Sequence, residues 1–246
     1  MKNGEKSFGK LFELVEIIAR SRKGVSGKEL AESSGIPLST TFRMLKFMVD
    51  NSYLRVQGGF YSLGLSFARL GNIAREQNPL LKIARPILEE LSAQTMETIH
   101  LAELKNNQII YIDKVEGDRP IRMGSMIGKL NPIYCTGVGK AICAFLPLAE
   151  QERLLKEIEY HPFTATTIIS SEALRKELIK IRHQGYAIDN CEHEEGVYCL
   201  AAPILSYNDI SIAGISISGA EMYIRDDTAR LARLITRAAR QISNAL

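Results

Sequence analysis

At 246 residues the chain has room for one large domain or two of ordinary size, and an apolar content of 46% supports real cores. The net charge of +3 hides a split: residues 1–75 carry 12 Lys and Arg against 6 Asp and Glu, the remainder 19 against 22. No stretch approaches the ~18 apolar residues of a membrane span, and the four cysteines lack both C-x-x-C spacing and a small disulfide-rich context. A membrane helix and a disulfide scaffold are thereby excluded. The first residues lead into an amphipathic helix rather than an apolar leader, so a cytoplasmic protein with reduced thiols is expected. A basic first third on a slightly acidic body suits a nucleic-acid module joined to a regulatory or catalytic domain.

In chain order, residues 7–20 place Phe8, Leu11, Phe12, Val15 and Ile18 at helical spacing, a helix expected to pack beneath the two helices after it. Ser26 and Glu29 carry the spacing of a capping box and open a short helix that stops at Ser34-Gly35. Gly35-Ile36-Pro37 makes a turn, because Pro37 biases its predecessor away from α geometry. A second helix runs from residue 39 to about 51. Thr41, Met44, Leu45 and Met48 share one of its faces; Ser39, Arg43, Lys46 and Asp50 share the opposite one. Residues 53–56 and 60–63 flank Gln57-Gly58-Gly59, a hairpin signal. This is the order of a winged helix-turn-helix, whose second helix is the candidate for the DNA major groove. Arg43 offers a guanidinium fork for guanine or, failing that, a solvated surface charge. Ser39, Thr40 and Lys46 suit phosphates or single base edges, and Phe42 completes the expected DNA-binding set. The Gly58-Gly59 tip carries little charge beyond Arg55, which limits the wing to backbone contact.

Residues 65–77 come next as a connecting helix ending near Asn78-Pro79. A helix with Ile83, Ile87, Leu88 and Leu91 ends near residue 94. Three strand-like runs succeed it, at 98–104, 109–115 and 121–123. Residues 131–135 are extended and lead into Thr136-Gly137-Val138-Gly139-Lys140, where a helix through 141–145 starts. Helices at 148–158 and 172–184, strands at 186–189, 197–205 and 211–217, and a helix from about 225 to 244 complete the chain. Strands in blocks with helices between them predict an α+β fold with a largely antiparallel sheet.

The strand-to-helix turn at residues 136–140 is either a plain capped turn or an anion site built from helix N-terminal amides. It is not a nucleotide P-loop, since Ala141 comes directly after Gly139-Lys140 and the first glycine is missing upstream. Ser216 and Ser218 lie two apart on a strand and therefore share a face. Cys199 reads as a small buried hydrophobe. Glu97 and His100 do not form a catalytic constellation, and His100 is expected to be a satisfied structural histidine. The acidic run Glu192, Glu194 and Glu195 reads as a solvated loop, and Cys191 with His193 is not expected to hold a metal. No cofactor and no catalysis are expected.

Several blocks in order resemble the IclR family of bacterial transcription regulators. They are residues 39–45, Glu97-Thr98-Ile99-His100-Leu101, residues 136–141, 185–189 and 194–199, and Ala213-Gly214 through Gly219. The likeness covers nearly the whole chain. Within the family it looks most like the subgroup sensing 2-keto-3-deoxygluconate, through Arg122-Met123, Ile127-Gly128 and residues 131–134. The resemblance implies a homodimer or homotetramer, double-stranded DNA with a pseudo-palindromic operator, and a GAF/profilin-like effector domain with a six-stranded sheet. The expected boundaries are 1–64 for the DNA-binding domain, 65–78 for a linker helix and 79–246 for the effector domain. It implies that a small carboxylate sits on the amides of Gly137 and Val138, with Asp189, Cys199, Ser216 and Ser218 closing the pocket. Arg122 is added as either the carboxylate's partner or an exposed salt bridge, and Met123 and Met126 as lining. The function implied is a ligand-responsive regulator, a repressor of sugar-acid catabolism genes. The alternatives are a sensor of glyoxylate, pyruvate or an aromatic acid, an enzyme with a DNA-binding appendage, and an oligomerisation scaffold.

Overall fold

The computed structural model describes residues 3–21 and 23–246, with the backbone alone for residues 3–7. The chain divides into two units between Gln77 and Asn78. No helix among the described residues is long and apolar enough to cross a membrane.

The first unit holds α1 (Asn3–Arg20), β1 (Val25–Ser26), α2 (Gly27–Ser34), α3 (Leu38–Asp50), β2 (Leu54–Gln57), β3 (Phe60–Leu63) and α4 (Leu65–Glu76). The capping box forms as its spacing requires: Glu29 N donates to Ser26 Oγ at 3.3 Å and Ser26 N to Glu29 Oε2 at 2.8 Å. Thr41, Met44, Leu45 and Met48 are buried along α3, against Leu14, Ile18, Leu30, Ile36 and Leu54. The first helix keeps the expected stripe at Leu11, Val15 and Ile18 but not at its two phenylalanines. Leu14, Val15 and Ile18 are buried, whereas Phe8 and Phe12 are 71% and 62% exposed. β2 and β3 pair across Gly58 and Gly59, both at positive φ (58° and 83°), and β1 adds a third strand with Val25 opposite Tyr61. That strand is two residues long, below what alternation can signal. α4 buries none of its residues completely; it is held by Phe67, whose ring lies 5.5 Å from Tyr53.

The second unit comprises α5 (Pro79–Thr95), β4 (Thr98–Lys105), β5 (Gln108–Val115), β6 (Leu130–Pro132), α6 (Gly137–Ala144), α7 (Leu148–Glu157), α8 (Ser171–Gln184), β7 (Ala187–Asn190), β8 (Val197–Leu205), β9 (Ser211–Ala220), α9 (Glu221–Ile224) and α10 (Thr228–Ala245). The six strands form one sheet in the order β6-β5-β4-β9-β8-β7, every pair antiparallel. Ile99, Leu101, Ile215 and Ile217 face a layer made by Leu81, Ala84, Leu88 and Leu91 of α5, with Ile235 and Ile242 of α10. Ala102, Ile109 and Ala201 face the other layer, with Val138 and Ile142 of α6, Leu154 of α7 and Leu174 and Leu178 of α8.

Residues 121–123 do not form the expected strand. They lie in an irregular connection, residues 116–129, between β5 and β6. Pro120 precedes the run and Gly124 ends it, and β6 already occupies the edge of β5, with Ile110 opposite Leu130. The last helix begins at Thr228, after α9 and a 3₁₀ turn at Arg225–Asp227.

Two glycines separate steric need from chance. A Cβ on Gly64 would run into the Ser52 carbonyl oxygen, whereas one on Gly71, inside α4, meets nothing within 4 Å. Gly64→Ala is expected to cost about 1–3 kcal/mol by overpacking, and Gly71→Ala to stabilise by about 0.5–1 kcal/mol. Urea denaturation of the two variants checks both signs.

Candidate functional site

In the first unit, α3 presents Ser39, Phe42, Arg43 and Lys46 to solvent, with Thr40 half-buried. The expected DNA-binding residues therefore share one open surface, because the opposite face of the helix is committed to the core. Phe42 is 45% exposed and anchored: a Cβ on Gly27 would lie 2.6 Å from its ring. Phe47, on the same exposed side and absent from the expected set, is 58% exposed. Arg55 is also exposed, on the strand leading to the wing tip.

In the second unit, a cavity of about 270 Å³ opens between α6 and the sheet. Gly137, Val138, Asp189, Cys199, Ser216, Ser218 and Met123 of the expected set all line it. Arg122 does not; it is exposed, within the residues 121–123 expected as a strand, and Lys129 of the same connection supplies the cation at the cavity. Met126 is 60% exposed and lies outside the lining as well.

The helix end at the cavity is built in a definite way. Thr136 Oγ1 accepts from Gly139 N at 3.3 Å and donates to Pro132 O at 2.8 Å. The amides of Gly137 and Val138 open the helix, where no carbonyl of its own is available to them. The two glycines differ in kind. A Cβ on Gly139 would lie 2.5 Å from Ile133 O, whereas on Gly137 the nearest atoms are 3.5 Å away. Gly139 thus permits the strand-to-helix packing, and Gly137 borders the open space.

The wall opposite is polar. Asp189 is buried, and burial pushes its carboxyl up to about 7, against the pull of the Glu192 amide and Lys140. Glu192 N donates to Asp189 Oδ1 at 2.7 Å. His100 stands outside the expected site set. It is a buried histidine, as expected, yet it lines the cavity, stacked on Tyr111 with ring centroids 4.6 Å apart. Burial and the nearby Lys114 lower its pKa to about 3, so the ring is neutral. The signal was available: Thr98 and His100 alternate with Ile99 and Leu101, and His100 pairs with Ser216 across the ladder.

Glu192 is not part of a solvated loop. It is buried and ion-paired with Lys140, which is 1% exposed, while Glu194 and Glu195 are exposed as expected. Thr164 Oγ1 donates to Cys191 O at 2.7 Å and Thr167 Oγ1 to Glu192 O at 2.6 Å, so the turn carrying Glu192 is held from outside as well. All four cysteines are free, and burial raises the pKa of each.

Comparison with known proteins decides the family. Residues 74–244 match the bacterial transcriptional regulator IclR C-terminal domain, and residues 7–58 the IclR helix-turn-helix domain. The chain belongs to the IclR family. It is a DNA-binding transcriptional regulator, not an enzyme. The HTH-type transcriptional regulator KdgR of Escherichia coli is 37% identical over 211 residues, 85% of this chain and 80% of that protein. The Thermotoga maritima IclR structure superposes with a TM-score of 0.81 at 32% identity, covering 98% of this chain and 99% of that one. The C-terminal domain of E. coli KdgR gives a TM-score of 0.60 at 38% identity, over 67% of this chain and 96% of that one.

Lys140→Met leaves the Glu192 carboxylate buried without its partner and is expected to cost about 3–5 kcal/mol. Gly139→Ala is expected to destabilise more than Gly137→Ala. Equilibrium unfolding of the three variants measures all of these.

Proposed function

We propose that this IclR-family regulator is a cytoplasmic repressor of sugar-acid catabolism genes, released from its operator by 2-keto-3-deoxygluconate or a similar small keto acid. The observation that carries the reading is the cavity, with two helix N-terminal amides on one side and Asp189, Ser216 and Ser218 on the other. The amides and the helix dipole suit a carboxylate. Tyr111, Asp189, Asn131 and the two serines offer the hydrogen-bonding groups a hydroxylated chain needs. Glyoxylate and pyruvate carry no hydroxyls to meet these groups, and an aromatic acid carries fewer than a sugar acid. The identity to E. coli KdgR supports the same choice.

On the DNA side, a symmetric homodimer or homotetramer sets two α3 helices on the half-sites of a pseudo-palindrome. Arg43 reads a guanine, with Ser39, Thr40, Phe42 and Lys46 around it. A bidentate contact is worth about 1–3 kcal/mol of base discrimination, so Arg43→Ala is expected to lose operator preference while keeping weak, salt-dependent binding. Fluorescence anisotropy on operator and scrambled duplexes checks this; retained preference removes Arg43 from base reading.

Calorimetry with 2-keto-3-deoxygluconate, glyoxylate and 4-hydroxybenzoate tests the effector. Heat with the first and none with the others is expected; a flat first titration sinks the assignment. The pH dependence has a definite sign. Asp189 is raised, so its acid form prevails below about pH 7 and its carboxylate above. An anionic effector binds the neutral form better, and affinity is expected to fall by up to about tenfold per pH unit above that point. The same shift favours folding below the unfolded carboxyl pKa, and that contribution is lost as pH rises through about 7.

A further inference from the structure

Residues 116–129 cross beside the cavity without secondary structure, and four of them, Met123, Gly124, Ser125 and Lys129, line it. The ends of this strap are held by the backbone or by ion pairing. Arg119 Nε donates to Glu97 Oε1 at 2.9 Å, and Gly128 N to Tyr111 O at 2.7 Å. Its middle is held differently. Lys114 Nζ donates to Met123 O and Ser125 O, each at 2.9 Å, and His100 Nε2 lies 2.6 Å from Ser125 Oγ. The other ring nitrogen, Nδ1, lies 3.2 Å from Ser218 Oγ and 3.4 Å from Ser216 Oγ, and the two serine oxygens are 3.2 Å apart.

We infer that His100 is a positioning residue linking the serine wall of the cavity to the strap at Ser125. The neutral imidazole has one donor and one acceptor nitrogen, so what Nδ1 does dictates what Nε2 does. When Nδ1 accepts from a serine hydroxyl, Nε2–H donates to Ser125. When a bound molecule takes the serine hydroxyls as donors, the ring changes tautomer by exchange with water, Nε2 releasing its proton and Nδ1 taking one up; Nδ1–H then donates to the freed serine oxygen, and Nε2 accepts from Ser125. Occupancy of the wall thereby sets the direction of the bond that holds the strap. Tyr111, stacked on the ring, keeps it in the plane both bonds require.

Hydrogen–deuterium exchange of the full chain tests the link without a ligand. Ser125→Ala removes the strap hydroxyl that meets Nε2. His100→Asn keeps a polar atom near Nδ1 but does not reach Ser125. Each is expected to speed exchange of the strap amides about fivefold, the effect of one hydrogen bond. Combining them is expected to add nothing, because both cut one link. The discriminating variant is Ser216→Ala with Ser218→Ala: neither serine bonds Ser125, yet without a partner at Nδ1 the ring loses its fixed tautomer and orientation, and the strap is expected to loosen while α10 exchanges as in the wild type. Unchanged strap exchange in that variant, or additive effects of the first two, overturns the inference. If α10 loosens too, Ser218→Cys, which keeps the shape and weakens the hydrogen bond, takes its place in the comparison with the same two outcomes.

The inference rests on the cavity being the effector site, and a ligand arm separates the two. On saturation with 2-keto-3-deoxygluconate the wild-type strap is expected to gain protection, and Ser125→Ala to lose that gain while α6 amides keep theirs. An equal gain in Ser125→Ala overturns the role of His100. No heat with the wild type overturns the effector assignment and leaves the ligand-free result to decide the link.

Discussion

Alternation along the central strands β4, β9 and β8 sets both the core and the cavity of the C-terminal unit. Ile99, Leu101, Ile215 and Ile217 turn one way, into the layer of α5 and α10, and His100, Ser216 and Ser218 turn the other. A slip of one residue would exchange the two sets. Each large aliphatic side chain so exposed would forfeit about 1.5–3 kcal/mol, and each serine or histidine moved into the apolar layer would lose its hydrogen bonds. The register is therefore defended from both faces. The polar face is tolerable only because it opens on a cavity and bonds to itself.

A second constraint stands at the foot of that wall. Lys140 rises from α6, whose first turn borders the cavity, and meets Glu192 on the turn after β7, whose amide caps Asp189. Two elements 52 positions apart in the chain are thus joined by a buried ion pair. Such a pair contributes less net stability than its Coulomb energy, because both charges lose their water. What it contributes here is placement: α6 and the Asp189 turn are held at one spacing, which is the width of the cavity.

The parts legible in the sequence are those governed by short-range rules. The α3 wheel separated Thr41, Met44, Leu45 and Met48 from Arg43 and Lys46 because a helix repeats within the residues that compose it. The capping box and the Gly58-Gly59 turn are local in the same way. Phe8 and Phe12 satisfied the helical spacing equally well, and only the position of the neighbouring helices selected Leu14 instead. Glu192 sits among Glu194 and Glu195 and looked solvated; its partner Lys140 is distant in sequence, so no local pattern announced it. Arg122 and Lys129 are both plausible cations by composition. Which one faces the cavity depends on the path of a segment that has no periodic structure. His100 was readable by alternation, but its role depends on Ser125 and two serines that the fold alone assembles.

These contacts give the cavity an unusual electrostatic character. His100 is held neutral by burial and by Lys114, and burial pushes Asp189 up to about 7, so below that pH neither wall group carries much charge. An anionic effector of the kind proposed would meet the N-terminal amides of α6 and Lys129 at the lining, against a wall of dipoles rather than fixed charges. The helix end attracts a carboxylate without demanding that a buried counter-ion be desolvated first. Neutral hydroxyls and the imidazole then discriminate by hydrogen-bond direction, where one unmatched buried group costs about 1–3 kcal/mol. In the function proposed above, charge would admit the ligand class and the neutral wall would choose within it, so the residue that orders the serine hydroxyls would matter as much as any that touches the carboxylate.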